Sequence, residues 1–182
     1  MPWTWPLSWR SLPRGWRPRS RRPSPLVVEP YDSRALFLSA VALSKERRAA
    51  AGLVAGLDDS LVESSGALMS RGVQIVPSGS RRFQKTGQCS FYFEIYEPLL
   101  AGPNPPAVDF QIRVLDTKTG EAKGDTGKVG AASFVRAGNP TVPIVFSLPL
   151  ASLPSGAYRV EVKATHSAGP ETAIRTAEFE VE

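Results

Sequence analysis

One cysteine and one histidine are all that this 182-residue chain contains of those two residue types. An internal disulfide is therefore excluded, and almost no soft ligands remain for a zinc site. No apolar run approaches the roughly 18 residues that a membrane-spanning helix requires. Acidic side chains are missing altogether from residues 1–25. Apart from these gaps the composition is ordinary: 42% hydrophobic and 21% charged residues sit near globular averages and rule out a wholly disordered chain. With 17 Pro and 15 Gly the chain is rich in turns, and its length suits one ordinary domain with appendages.

The net charge of +5 invites a nucleic-acid reading until the charges are located. Arg10, Arg14, Arg17, Arg19, Arg21 and Arg22 all precede Leu26; removing these six from 22 basic residues leaves 16 against 17 acidic ones, a net of −1 for residues 26–182. Trp3, Trp5, Trp9 and Trp16, the four tryptophans of the chain, lie in the same stretch with six of its prolines. An organelle-targeting peptide would be Arg-rich and acid-poor, but this many prolines break the amphipathic helix such peptides need. A nucleic-acid or membrane-surface arm could use Arg for phosphates and Trp for stacking or anchoring, yet no periodicity accompanies the charges. The plainest reading of residues 1–25 is a disordered Arg/Trp/Pro-rich tail, of the kind a start codon placed upstream of the natural boundary would add.

From Leu26 onward the dominant signal is alternation, which places every second side chain on one face of a strand. Val73 and Ile75 flank Gln74; Phe91, Phe93 and Ile95 oppose Tyr92, Glu94 and Tyr96. Val108, Phe110, Ile112 and Val114 form another set, as do Val142, Ile144, Phe146 and Leu148. Tyr158, Val160, Val162 and Ala164 alternate with Arg159, Glu161, Lys163 and Thr165, and Ala177, Phe179 and Val181 close the chain. Turn signals separate these runs at residues 77–79, 86–87, 98–106, 116–120, 138–140, 154–156 and 168–170. Residues 35–43 (ALFLSAVAL) read as a further strand; Glu29 and Asp32 precede it and no cleavage site follows, so it is not a signal-peptide core. Seven strands with no helical pattern between them predict an all-β, immunoglobulin/fibronectin-III-like antiparallel β-sandwich.

Residues 44–70 interrupt the pattern. Leu53, Leu57 and Leu61 fall at helical spacing, although Gly52 and Gly56 weaken a helix. The expected layout is thus a tail over 1–25, an extra strand plus an irregular or short-helical insertion over 26–70, and the sandwich over 71–182. Within the last, Leu153-Pro154-Ser155-Gly156-Ala157-Tyr158 leads into an alternating strand, as where a tyrosine hydroxyl bonds back to main chain in a tyrosine corner; a plain hairpin with a half-buried Tyr is the alternative.

Candidate chemistry is sparse. His166, in Thr165-His166-Ser167, is the one conventional proton shuttle; with no nucleophile elbow or second His it reads as an exposed turn residue rather than part of a triad. Cys89 starts a strand and reads as a small buried hydrophobe. Asp116, Glu121 and Asp125 could attract calcium, but EF-hand spacing is absent, Lys118 and Lys123 intervene, and Asp116-Thr-Lys-Thr-Gly120 is first a hairpin. No metal, cofactor or catalytic residue is expected. A binding face, if present, belongs to Tyr92, Glu94 and Tyr96, which could stack a sugar or anchor a protein, with the loop over 98–106 beside it; strand preference for Tyr explains the same residues without a ligand.

Several of these runs together carry a family resemblance. Arg71-Gly-Val-Gln-Ile-Val-Pro-Ser78, Phe91-Tyr-Phe-Glu-Ile-Tyr96, Val108-Asp-Phe-Gln-Ile-Arg-Val-Leu-Asp116 and Leu148-Pro-Leu-Ala-Ser-Leu-Pro-Ser-Gly-Ala-Tyr-Arg-Val-Glu-Val162 resemble the C-terminal region of bacterial von Willebrand factor A-related proteins, frequent in Acidobacteria. The resemblance spans residues 36–182 and implies a detached or truncated C-terminal module, exported or cell-surface in its parent proteins, with no known chemistry; the Tyr-bearing face leaves room for a protein or glycan partner, and no nucleic-acid partner is expected. The Asp-x-Ser-x-Ser metal sequence of the von Willebrand A domain itself is not here: Asp58-Asp59 and Ser64-Ser65 do not match it. No recognisable signal peptide is present in this chain.

Overall fold

The computed structural model describes residues 35–49, 68–170 and 172–182, all within a compact unit running from Asp32 to Glu182. The tail over 1–25, the Leu53/Leu57/Leu61 pattern, Asp58-Asp59 and Ser64-Ser65 lie outside the described residues. Among the described residues there are thirteen strands: β1 (Phe37–Leu38), β2 (Ala42–Ser44), β3 (Glu46–Ala49), β4 (Leu68–Ser70), β5 (Val73–Val76), β6 (Arg82–Phe83), β7 (Gln88–Tyr96), β8 (Val108–Asp116), β9 (Ala122–Asp125), β10 (Val129–Gly130), β11 (Thr141–Pro149), β12 (Gly156–His166) and β13 (Thr172–Val181), with a 3-10 turn at Pro98–Ala101. The chain is an all-β antiparallel β-sandwich of the immunoglobulin-like type.

One sheet pairs β7 with β11 on one side and with β1 and β2 on the other; the second runs β10-β8-β12-β13-β6, with β9 also on β8. Among the described residues every pairing is antiparallel except the short β13–β6 contact. The alternation in the sequence translates directly into the core. Cys89, Phe91, Phe93 and Ile95 of β7 and Val142 and Ile144 of β11 are all fully buried. They meet Phe110, Ile112, Val114, Val160, Val162 and Phe179 from the opposing sheet in one cluster. Rings interdigitate across the interior, Phe93 edge-on to Phe110 at 5.9 Å and Phe91 against Phe179 at 6.0 Å, the offset and tilted geometries that ring quadrupoles favour. Burial of side chains this size contributes about 1.5–3 kcal/mol each, which is why the period-two faces decide the architecture.

Two expectations need correction. Residues 35–43 do not form one strand: β1 and β2 are separate, because Ser39 takes over the pairing between them. Its N–H donates to Glu94 O at 2.9 Å and its Oγ accepts from Glu94 N at 2.9 Å. The interruption expected over 44–70 contains strand at both described ends. β3 and β4 flank β5 in a third, three-stranded sheet, in which Met69 and Ile75 are buried. Short polar Glu-Arg-Arg-Ala carries no alternation of hydrophobicity, so β3 exists through its pairing with β5 rather than through its own composition.

Pro143 and Pro149 sit within β11 without cost, since β11 is an edge strand of its sheet. The Pro143 carbonyl faces outward and accepts from Ser70 Oγ at 2.6 Å, tying β4 to that edge.

Candidate functional site

At the end of β7 the strand gives way to Glu97-Pro98, an acceptor followed by a residue that lacks an N–H and begins a turn readily. Glu97 caps the 3-10 turn: its Oε1 accepts from Leu99 N at 3.0 Å. Its Oε2 lies 2.6 Å from His166 Nδ1 at the end of β12, with the two side chains only 1% and 5% exposed. The expectation of an exposed turn histidine is thereby corrected. β12 runs through His166, which is paired in register with Val108, and the residue after it is tied to the end of the 97–107 connection. Ser167 N donates to Ala107 O at 2.9 Å and Ala107 N to Ser167 Oγ at 3.0 Å. A carboxylate and an imidazole from opposite sheets thus staple the crossover from β7 to β8.

The opposite end of the sandwich carries a second staple. Tyr158, 1% exposed, donates from its hydroxyl to Pro154 O at 2.7 Å and packs on Phe179 with ring centroids 5.6 Å apart. This is the tyrosine corner that the Leu-Pro-x-Gly-x-Tyr run foreshadows. Burial raises the Tyr158 phenol above its ordinary range, and the neighbouring Asp116 carboxylate adds to the effect.

Cys89 is wholly buried, and desolvation pushes its thiol up to about 12. A nucleophilic cysteine needs the reverse, a thiolate stabilised in a partly exposed setting. The three carboxylates considered for calcium are engaged separately. Asp116 Oδ1 accepts from Lys118 N and Thr119 N, which holds its carboxyl below the usual range. Glu121 pairs with Lys123 at 2.7 Å. Asp125 accepts from Gln111 and from Gly127 N, and these bonds lower it too. Among the described residues no group of three or more His, Cys, Asp or Glu is placed to hold a metal ion.

Tyr92, Glu94 and Tyr96 do come together, but differently from a stacking platform. Both tyrosine hydroxyls donate to the Glu94 carboxylate, Tyr92 to Oε1 and Tyr96 to Oε2. The Tyr92 ring is buried, at 4% exposure, while Tyr96 leans on Phe37 with centroids 6.2 Å apart. The candidate binding face therefore shows the partly covered Tyr96 and a shallow hollow of about 260 Å³ beside Ser39, Ala40, Ala42 and Leu68. Alternation could place these residues on one face; it could not show that the polar atoms would be spent on each other.

The exposed face of the second sheet is a lattice of paired charges. Arg113 meets Asp125 and Glu161, Arg159 meets Glu178, and Lys128 meets Asp109. Exposed pairs of this kind contribute little individually, about 0–1 kcal/mol, and mark a solvated face.

Fold and site together define a β-sandwich domain whose few ionisable interior groups are built into its corners. No protein-family model matches the chain, and no curated protein matches it. Among solved structures it is similar to a CARDB domain from Pyrococcus furiosus, crystallised in complex with di-metal ions, at 12% identity and a TM-score of 0.38, over 57% of this chain and 86% of that one. So slight a likeness does not bear on function. Among the described residues no helix is long and apolar enough to cross a membrane.

Proposed function

We propose that the chain is a non-catalytic β-sandwich module with an interaction or structural role, as the resemblance to exported von Willebrand factor A-related proteins implies. The observation that carries this reading is the enclosure of His166 against Glu97. A general acid or base must reach the proton it moves, and this imidazole is only 5% exposed, with its Nδ1 held 2.6 Å from the Glu97 carboxylate. It joins two sheets instead. Cys89 is withdrawn in the same way, by burial and by a thiol pushed up to about 12. What faces outward is a rigid scaffold with loops at its two ends, the arrangement on which recognition segments are commonly mounted.

The reading is tested by assaying the pure chain against chromogenic esters, amides, phosphate esters and glycosides beside a His166→Asn variant. Neither protein is expected to exceed the buffer rate. Turnover by the wild-type chain that His166→Asn abolishes while the circular dichroism spectrum is kept would overturn it. The parentage has a separate check in the coding DNA just upstream, read in all frames, where a von Willebrand A domain is expected. A glycan partner finds less support, because Tyr92 is buried and both hydroxyls are occupied by Glu94.

A further inference from the structure

The turn between β4 and β5 carries the one non-glycine residue with positive φ among the described residues. Arg71 has φ 50° and Gly72 φ 75°, and Ser70 pairs directly with Val73. Two central residues with positive φ make a two-residue hairpin of the I′ kind, whose first position is normally Asn, Asp or Gly. A long cationic side chain there works against the backbone, and strain of this kind tends to persist where a side chain is needed in one place.

The Arg71 guanidinium lies over the Phe134 ring at 5.2 Å, and Phe134 is itself anchored edge-on against core residue Phe110 at 6.1 Å. Across from it Arg47, on β3, donates from Nη1 to Ser147 Oγ at 3.1 Å. The two arginines line a hollow of about 290 Å³ together with Ser70, Val73, Phe134 and Val145. Elsewhere Arg48, Arg82, Arg113 and Arg159 each meet a carboxylate. Among the described residues none lies within 4 Å of Arg47 or Arg71. Ser70 Oγ is already committed to Pro143 O, so the hollow is lined by two arginines and by the apolar side chains of Val73, Val145 and Phe134.

We infer that this hollow binds a carboxylate carried on a small apolar body. Guanidinium forks match the planar, two-oxygen carboxylate, and the apolar lining suits an aromatic or branched aliphatic group behind it. The volume falls just below the roughly 300–1,000 Å³ range of pockets for drug-sized ligands, so the ligand is small or is the tip of a larger one. The site is independent of the module reading above, since a resident small molecule and a protein-binding surface can occupy different faces.

The test is a titration of the full chain with benzoate, acetate and inorganic phosphate, followed by amide chemical shifts of Ser70, Arg71, Gly72, Val73 and Val145. Benzoate is expected to give saturable shifts and to bind at least about fivefold more tightly than acetate, the difference being the buried ring. Arg47→Ala and Arg71→Asn are each expected to weaken benzoate about tenfold or more. Because Asn adopts positive φ readily, Arg71→Asn is also expected to hold or raise the melting temperature, by up to about 5 °C. Absence of saturable benzoate shifts overturns the assignment, as does undiminished binding in either variant. Phosphate binding as tightly as benzoate overturns the role of the apolar lining. A lower melting temperature in Arg71→Asn would show that Arg71 is kept for folding, and would overturn it equally.

Discussion

Glu97 and His166 behave as one unit, because neither can leave its partner without stranding a polar group in the interior. Removing one member of a buried ionisable pair costs about 3–5 kcal/mol, whereas replacing both with apolar side chains is often close to neutral. Glu97→Gln and His166→Ala are therefore each expected to lower unfolding free energy by about 3 kcal/mol in urea, and Glu97→Leu with His166→Leu to recover most of it; two single losses that simply add would show that the residues act separately. Cys89 supplies a pH signature. Its folded thiol titrates near 12 against an ordinary value of 9.0, so the unfolded chain loses this proton first and holds fewer protons as pH rises between those values. Stability from this group is complete below about pH 9 and declines towards pH 12, at up to about 1.4 kcal/mol per pH unit. Denaturation at pH 8, 9.5 and 11 should show a steeper alkaline loss in the wild type than in Cys89→Ala, and parallel curves would sink the assignment. Neither the pair nor its burial could be read from the residues: Glu97-Pro98 signals a capped turn, but nothing near Thr165-His166-Ser167 points to a partner so far away in the chain.

The elements differ sharply in how well they are held. β7, β8 and β12 are long, lie inside their sheets, and contribute most of the aromatic and branched core. β3 and β4 are short, paired on one side to β5, and β3 is exposed along its whole length. Amide hydrogen exchange should accordingly be slowest in β7, β8 and β12 and faster by two orders of magnitude or more in β3 and β4. Equal protection in the β4–β5 hairpin would mean that the third sheet is part of the same cooperative unit. The long strands were legible because both their faces announce themselves, as in Phe91, Phe93 and Ile95 against Tyr92, Glu94 and Tyr96. The short ones were not, since β6 and β10 have only two residues each and β3 carries no apolar alternation.

On the scale of the molecule, charge and fold are separable. The described residues belong to a unit with its own hydrophobic cluster, and residues 26–182 are close to neutral, whereas residues 1–25 hold six arginines. A chain beginning at Leu26 should unfold at the denaturant midpoint of the full chain, within about 0.5 kcal/mol, and should lose most of its retention on heparin. Unchanged retention would exclude the basic tail as a polyanion-binding arm, and a markedly lower midpoint would show that the sandwich depends on residues 1–25.

Alternation and turn chemistry suffice for the class of fold and for most of the core, and the Leu-Pro-x-Gly-x-Tyr run points to the tyrosine corner, because each depends on residues adjacent in the chain and on burial of one strand face. The Glu97–His166 staple, the Glu94 carboxylate shared by two tyrosines, the third sheet and the arginine-lined hollow arise only when distant segments pack, and no local pattern encodes which polar atoms then meet. A period of two says which side of a strand is dry. Which hydrogen bonds replace water at its ends depends on the crossovers, and these are settled by how the sheets close on one another.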